Sequence, residues 1–174
     1  MVEICQVEAS GRSWTFAELL KEAERLALIL STRFNPGERV VVCLPNNPEW
    51  TLMEYACTLA GLVLVTVNPA FLARELDYVL KQSEAVALFL IKEFHGNPMG
   101  LTGSEVAKDI LATQEVIFLD SDALYAVGPR QPAIQDVAPG DVAMVQYMSD
   151  TTGFPKEAAL SHHGLVNNVR FYAT

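Results

Sequence analysis

Residues 39–67, RVVVCLPNNPEWTLMEYACTLAGLVLVTV, decide the fold. Arg39 to Leu44 is a β-branched apolar run, the pattern of a strand buried on both faces. Pro45-Asn46-Asn47-Pro48 turns the chain. Asn47 suits a helix cap, and Pro48 suits the first helical position, where a missing N–H costs nothing. From there to about Ala60 the sequence is apolar nearly all round, which marks a buried helix. Gly61 closes it, and Leu62 to Val67 is a second buried strand. A strand, a helix and a strand in this order point to a parallel pair joined by a crossover.

The same alternation extends in both directions. Upstream, Thr15-Phe16-Ala17-Glu18 has the form of a capping box, in which Thr15 accepts from a free helix N–H and Glu18 reaches back. Apolar residues from Phe16 to Leu30 then recur at helical spacing, and Asn35-Pro36-Gly37 ends that unit. Downstream, Leu72, Leu76, Val79 and Leu80 mark an amphipathic helix with Arg74, Glu75, Asp77 and Lys81 on its wet side. Val86 to Ile91 is a third strand. Val106, Ala107, Ile110 and Leu111 mark a short helix, and Val116 to Leu119 a fourth strand. Asp120 to Pro139 has no sustained period and is expected as a surface loop. Val142 to Tyr147 is the fifth strand, Met148 to Glu157 a polar loop, and a helix begins near Ser161. The expected fold class is α/β, a mostly parallel sheet with helices on both faces.

The chain has 174 residues, enough for one domain with a real core. Hydrophobic residues make up 51% and the mean hydropathy is +0.22, both rich for a soluble domain. Either the chain touches a membrane or its apolar faces pack on further polypeptide, and the second reading is favoured. The net charge of -9 and the absence of a Lys/Arg cluster argue against nucleic acid and anionic membrane surfaces. The longest uncharged run, Tyr55 to Ala73, is broken by Gly61 and Asn68-Pro69, so no transmembrane segment is expected. Cys5, Cys43 and Cys57 lack CxxC spacing and read as small buried hydrophobes in a reducing compartment; the expected location is cytoplasmic. No metal site is expected: His162 and His163 are adjacent, diverge on a helix, and have no acidic or Cys partner near in sequence. Trp14 and Trp50 read as core residues on helix faces, and His95 as a loop residue.

The segment richest in chemistry is Ser149-Asp150-Thr151-Thr152-Gly153-Phe154-Pro155-Lys156. It follows a buried strand and gathers hydroxyls, a flexible Gly and a Lys. Phosphate oxygens are held by such donors: Ser and Thr O–H, backbone N–H groups in a turn, and one cation. It is not a Walker loop, and no GxGxxG is present. On spacing alone it reads equally as a polar surface turn with an incidental Lys.

Tyr147 through His162, YMSDTTGFPKEAALSH, resembles the phosphate-loop signature of the adenylate-forming superfamily, roughly T-S-G-T-T-G-x-P-K-G followed by an apolar strand and T/S-H. Ser13 to Leu19 resembles the family's opening helix motif, Pro36 to Val40 its entry to the first strand, and Leu44-Pro45-Asn46 with Glu49 its "PN..E" turn. Ala60-Gly61, Asn68-Pro69 and Glu75-Leu76 fall in family order, so the likeness covers nearly all of residues 13–174. The tail from Ser161 to Asn168 is most similar to fatty-acyl-CoA ligases. The resemblance implies a partial N-terminal AMP-binding domain over 1–174, an incomplete subdomain of the acyl-CoA synthetase fold, with its phosphate loop at 148–157 and the C-terminal domain absent. It implies a two-step reaction on ATP with Mg²⁺, a fatty acid and CoA. A carboxylate attacks the α-phosphate of ATP and releases pyrophosphate; the CoA thiol then displaces AMP. Ser149, Thr151, Thr152, Gly153 and Lys156 would hold the β- and γ-phosphates, and His162 would lend structural support. The family's catalytic residues lie downstream, so no catalytic residue is placed here and the chain alone is not expected to complete the reaction. The alternative is a non-catalytic remnant, a binding or assembly module that self-associates through an unfinished sheet.

Three loop positions depart from the family pattern. Met148 stands where a Thr or Ser is usual, Asp150 replaces the first Gly, and Glu157 replaces the Gly after Lys156. A carboxylate about 4 Å from a phosphate charge repels it by roughly 4 kcal/mol at an effective dielectric near 20. Asp150 is therefore expected to weaken ATP binding, and Glu157 to neutralise Lys156 in part.

Overall fold

Thr15 opens the first helix as its sequence dictates. In the computed structural model, which describes residues 4–7, 12–119, 135–148 and 155–172, the Thr15 hydroxyl accepts from the Glu18 N–H at 3.1 Å and the Glu18 carboxylate accepts from the Thr15 N–H at 2.8 Å. The bond from the Thr15 N–H, and then one from the Thr15 hydroxyl to the same carboxylate at 2.9 Å, hold the Glu18 carboxyl below its ordinary range. The helix α1 runs Phe16–Ser31 and buries Leu19, Ala23, Leu26, Ala27, Ile29 and Leu30. Just before it, β1 (Ile4–Val7) and β2 (Arg12–Thr15) pair antiparallel as a separate two-stranded sheet. This pair was not expected from the sequence, and it places Trp14 on a strand rather than a helix.

The central stretch folds as read. β3 (Arg39–Cys43) leads to α2 (Pro48–Leu59), whose cap is Asn47: its side-chain oxygen accepts from the Trp50 N–H at 3.0 Å. β4 (Val63–Val67) follows, paired parallel to β3. Then come α3 (Ala73–Ser83), β5 (Ala87–Leu90), α4 (Met99–Ala107), β6 (Glu115–Phe118), β7 (Val142–Met148), β8 (Lys156–Ser161) and α5 (His162–Tyr172). The six-stranded sheet has the order β6-β5-β3-β4-β7-β8; only β8, antiparallel to β7, breaks the parallel set.

Strand alternation sorts the core into two layers. Val40, Val42, Leu64, Ala87, Phe89 and Met144 face α1 and α2. Val41, Cys43, Val65, Leu88, Leu90, Val145 and Tyr147 face α3 and α4. Both faces are thus covered, as the unbroken apolar strands require. The Arg33 guanidinium also bonds the Glu115 carboxylate, linking the turn after α1 to the start of β6.

Two expectations need correction. The short helix begins at Met99, not near Val106, and ends before Ile110 and Leu111. Its start carries Gly100 and Gly103, poor helix formers, because α4 lies almost on the sheet. A Cβ at Gly100 would meet the Phe118 ring at 2.8 Å and the Lys92 backbone at 3.1 Å. One at Gly103 would press on Leu88 and Leu90 at 3.1 and 3.3 Å. The second correction is β8: Lys156 and Glu157, expected in a loop, are paired strand residues. Of the expected loop 120–139, residues 120–134 lie outside the described residues.

Phe89 is fully buried and meets Phe34 edge to face at 6.1 Å between ring centroids. Phe89→Ala should cost about 3–5 kcal/mol of unfolding free energy in urea titration, from lost transfer energy and the cavity left behind. Leu111→Ala, at a fully exposed side chain, should stay within about 0.5 kcal/mol.

Candidate functional site

β7 is the carboxyl-terminal member of the parallel set, seated against β4 through Leu64–Met144, Val65–Val145 and Thr66–Gln146. Its last residue, Met148, pairs with Lys156, the first residue of β8. Between them lie the seven residues 149–155. Cα atoms of directly opposed antiparallel residues sit about 4.5–5.5 Å apart. The segment therefore leaves and re-enters the sheet at one point, level with the carboxyl ends of the parallel strands. That is the end at which open α/β sheets bind ligands.

Of the residues assigned to phosphate, Ser149, Thr151, Thr152 and Gly153 lie outside the described residues, as does Asp150. Lys156 is described and exposed, and Pro155 beside it is buried. Directly opposed residues share a face of the sheet, and successive ones alternate. Tyr147 belongs to the core facing α3 and α4, so its neighbour Glu157 projects to that side. Met148 and Lys156 project to the side of α1 and α2. Glu157 therefore points away from Lys156, against the expectation that it would neutralise it. Its carboxylate instead accepts a hydrogen bond from the Tyr147 hydroxyl at 3.0 Å. Burial, then this bond and the carboxylate's charge, push the Tyr147 hydroxyl pKa up.

His162 stands at the far end of β8. Ser161, its neighbour, pairs with Val142 at the amino end of β7. The rise of a strand puts that end roughly 17 Å from Lys156. The His162 N–H donates to the Asp141 carbonyl at 3.1 Å and the His163 N–H to the Pro139 carbonyl at 2.9 Å. These backbone bonds tie the start of α5 to the turn before β7.

Two recesses lie elsewhere. One, of about 10 Å³, sits at the carboxyl ends of β3 and β5, where the order of crossovers reverses. Such a switch point often holds a ligand. Here Cys43, Leu76, Leu90 and Met99 line it, leaving room for no more than one water. The other, of about 390 Å³, lies at the amino ends of the strands among Gly37, Gly61, Asp136, Asp141, Val142 and His162. Among the described residues no group of three or more His, Cys, Asp or Glu is placed to hold a metal. No helix there is long and apolar enough to cross a membrane. His95 lies in a turn at φ +49° with its ring against Phe94.

A mostly parallel sheet of this order, covered by helices on both faces, defines an open α/β domain. The sequence profile of the family described as AMP-binding enzyme matches residues 2–174, and the chain belongs to that family. It is 34% identical to the medium-chain acyl-CoA ligase ACSF2, mitochondrial, of Bos taurus, over 88% of this chain and 30% of that protein. The Homo sapiens protein of the same name is 32% identical over the same shares. The chain thus spans about 30% of the length of these curated relatives. Among solved structures, a long-chain-fatty-acid-CoA ligase (FadD1) from Archaeoglobus fulgidus superimposes with a TM-score of 0.81 at 27% identity, over 92% of this chain and 32% of that one. A Mycobacterium tuberculosis fatty acyl CoA synthetase shares the fold, with a TM-score of 0.73 at 22% identity over 88% of this chain and 30% of that one.

Cys43 and Cys57 are buried free thiols whose pKa burial pushes up to about 12. At pH 8 such a thiol is about one part in ten thousand thiolate, so neither serves as a nucleophile or ligand. As pH rises past the ordinary value of 9.0, the unfolded chain releases these protons first. The stability they contribute is whole below that pH and declines toward pH 12. From pH 8 to 10 the urea-unfolding free energy should fall by roughly 2–3 kcal/mol from the two thiols. A Cys43→Ala/Cys57→Ala chain should lose correspondingly less over the same interval.

Proposed function

We propose that this chain supplies the phosphate-holding part of an ATP-dependent acid–thiol ligase acting on a fatty acid. The observation that carries the reading is the pairing of Met148 with Lys156. It closes the donor-rich segment at the carboxyl end of the parallel sheet and returns a lysine to its rim. Hydroxyls of Ser149, Thr151 and Thr152, backbone N–H groups around Gly153 and the Lys156 ammonium match the acceptor-only chemistry of the β- and γ-phosphates. Mg²⁺ would accompany ATP and neutralise part of its charge. The carboxylate of the fatty acid attacks the α-phosphorus, pyrophosphate leaves, and the CoA sulfur then attacks the acyl carbon with release of AMP. The names of the curated relatives support the acyl substrate. The chain spans about 30% of their length, and the part proposed for it in this sequence of steps is to grip the triphosphate.

A second reading rests on exposed apolar surface. β8 ends the described sheet, and α5 turns Val166, Val169 and Phe171 outward at 55, 68 and 85% exposure. Solvent-facing apolar side chains beside a strand edge favour association, as expected of an assembly module.

Isothermal titration with ATP and Mg²⁺ separates the two. Lys156→Ala should weaken binding about 10- to 100-fold, the loss of one charge-assisted contact, while Lys21→Ala on α1 changes nothing. Asp150→Gly should tighten binding at least 10-fold by removing the opposing carboxylate. No binding by any of these chains, with concentration-dependent mass in sedimentation, supports assembly instead.

A further inference from the structure

We infer that Tyr147 and Glu157 form a positioning pair that fastens β8 to β7 beside Lys156. The inference rests on the nucleotide-binding reading above. Tyr147 and Glu157 are directly opposed on β7 and β8, one step inside the closing pair Met148–Lys156. The Tyr147 side chain is buried against the layer of α3 and α4, which fixes the ring before any partner arrives. Its hydroxyl donates to the Glu157 carboxylate at 3.0 Å. A hydroxyl bonded to an ionised acceptor is stronger than a neutral pair.

β8 needs such a fastener. Its sequence, Lys-Glu-Ala-Ala-Leu-Ser, is poor in the β-branched and aromatic residues that favour strands. It lies at the edge of the described sheet with β7 as its neighbour. Leu160 packs against the core near the opposite end of the strand. Toward Lys156, the Tyr147 bond adds a side-chain tie between the two strands. A glycine at 157 has no group to accept it. By anchoring Glu157 on the face away from Lys156, the pair also leaves the lysine facing the other side, with its backbone register set. Tyr147 and Glu157 thus act through Lys156 and the loop backbone rather than by touching phosphate.

Two measurements on the 174-residue chain test this. Amide hydrogen exchange without nucleotide reads the fastening directly. Tyr147→Phe and Glu157→Ala should each speed exchange at the amides of 156–158 about 5- to 20-fold. The double variant should be no faster than either single one, and Glu157→Gln, which keeps an acceptor, should recover most of the protection. Amides of β3 and β4 should not change. Unchanged exchange at 156–158, or additive effects, overturns the inference. ATP–Mg²⁺ titration of the same variants reads the consequence. Tyr147→Phe and Glu157→Ala should weaken binding about 3- to 10-fold, with partial recovery in Glu157→Gln. Altered exchange with binding unaltered overturns the positioning role and leaves the nucleotide reading standing. Absence of ATP binding by the unsubstituted chain overturns the nucleotide reading and, with it, this role.

Discussion

Met148 faces Lys156 across the last two strands, and the placement of the candidate site follows from that pairing. β7 is held in place by β4, so its carboxyl end is level with the ends of the other parallel strands. β8 then returns antiparallel, which sets Lys156 beside Met148 at that edge. A connection to a distant parallel strand would instead run over the sheet for a dozen residues or more and disperse the same donors. The local reversal keeps the two ends of the connection side by side.

The rest of the molecule packs around the parallel strands that lead to that pairing. Fully apolar strands demand cover on both faces, and α1 and α2 on one side and α3 and α4 on the other provide it. Side chains in the two layers leave no ligand space at the switch point between β3 and β5, where only about 10 Å³ is open. The amino ends of the strands serve a different purpose, fastening α5 through backbone bonds from His162 and His163.

The sequence made the parallel core legible because burial on both faces leaves an unmistakable pattern. Runs such as RVVVC and VLVTV have no polar side, and Thr15, Glu18 and Asn47 announce helix starts through the groups they satisfy. Elements specified by contact rather than composition were not legible. Gly100 and Gly103 argue against a helix by propensity, yet α4 requires them to approach Phe118, Lys92, Leu88 and Leu90. β8 is composed of weak strand formers and exists through its register with β7. The candidate loop was visible in its donors, and Lys156 falls at its rim. The direction of Glu157 was not visible, since it depends on which face Tyr147 occupies. A one-residue slip would have moved Glu157 to the opposite face and broken its bond to Tyr147.

Backbone amide NMR during titration with ATP and Mg²⁺ tests the central claim most directly, because it reports where on the chain a nucleotide sits. Saturable shifts concentrated at the amides of 149–157, with those around Gly61, Asp141 and His162 undisturbed, are the predicted result. Shifts confined to the amino ends of the strands, or none at all, would contradict a phosphate-holding role for the β7–β8 connection.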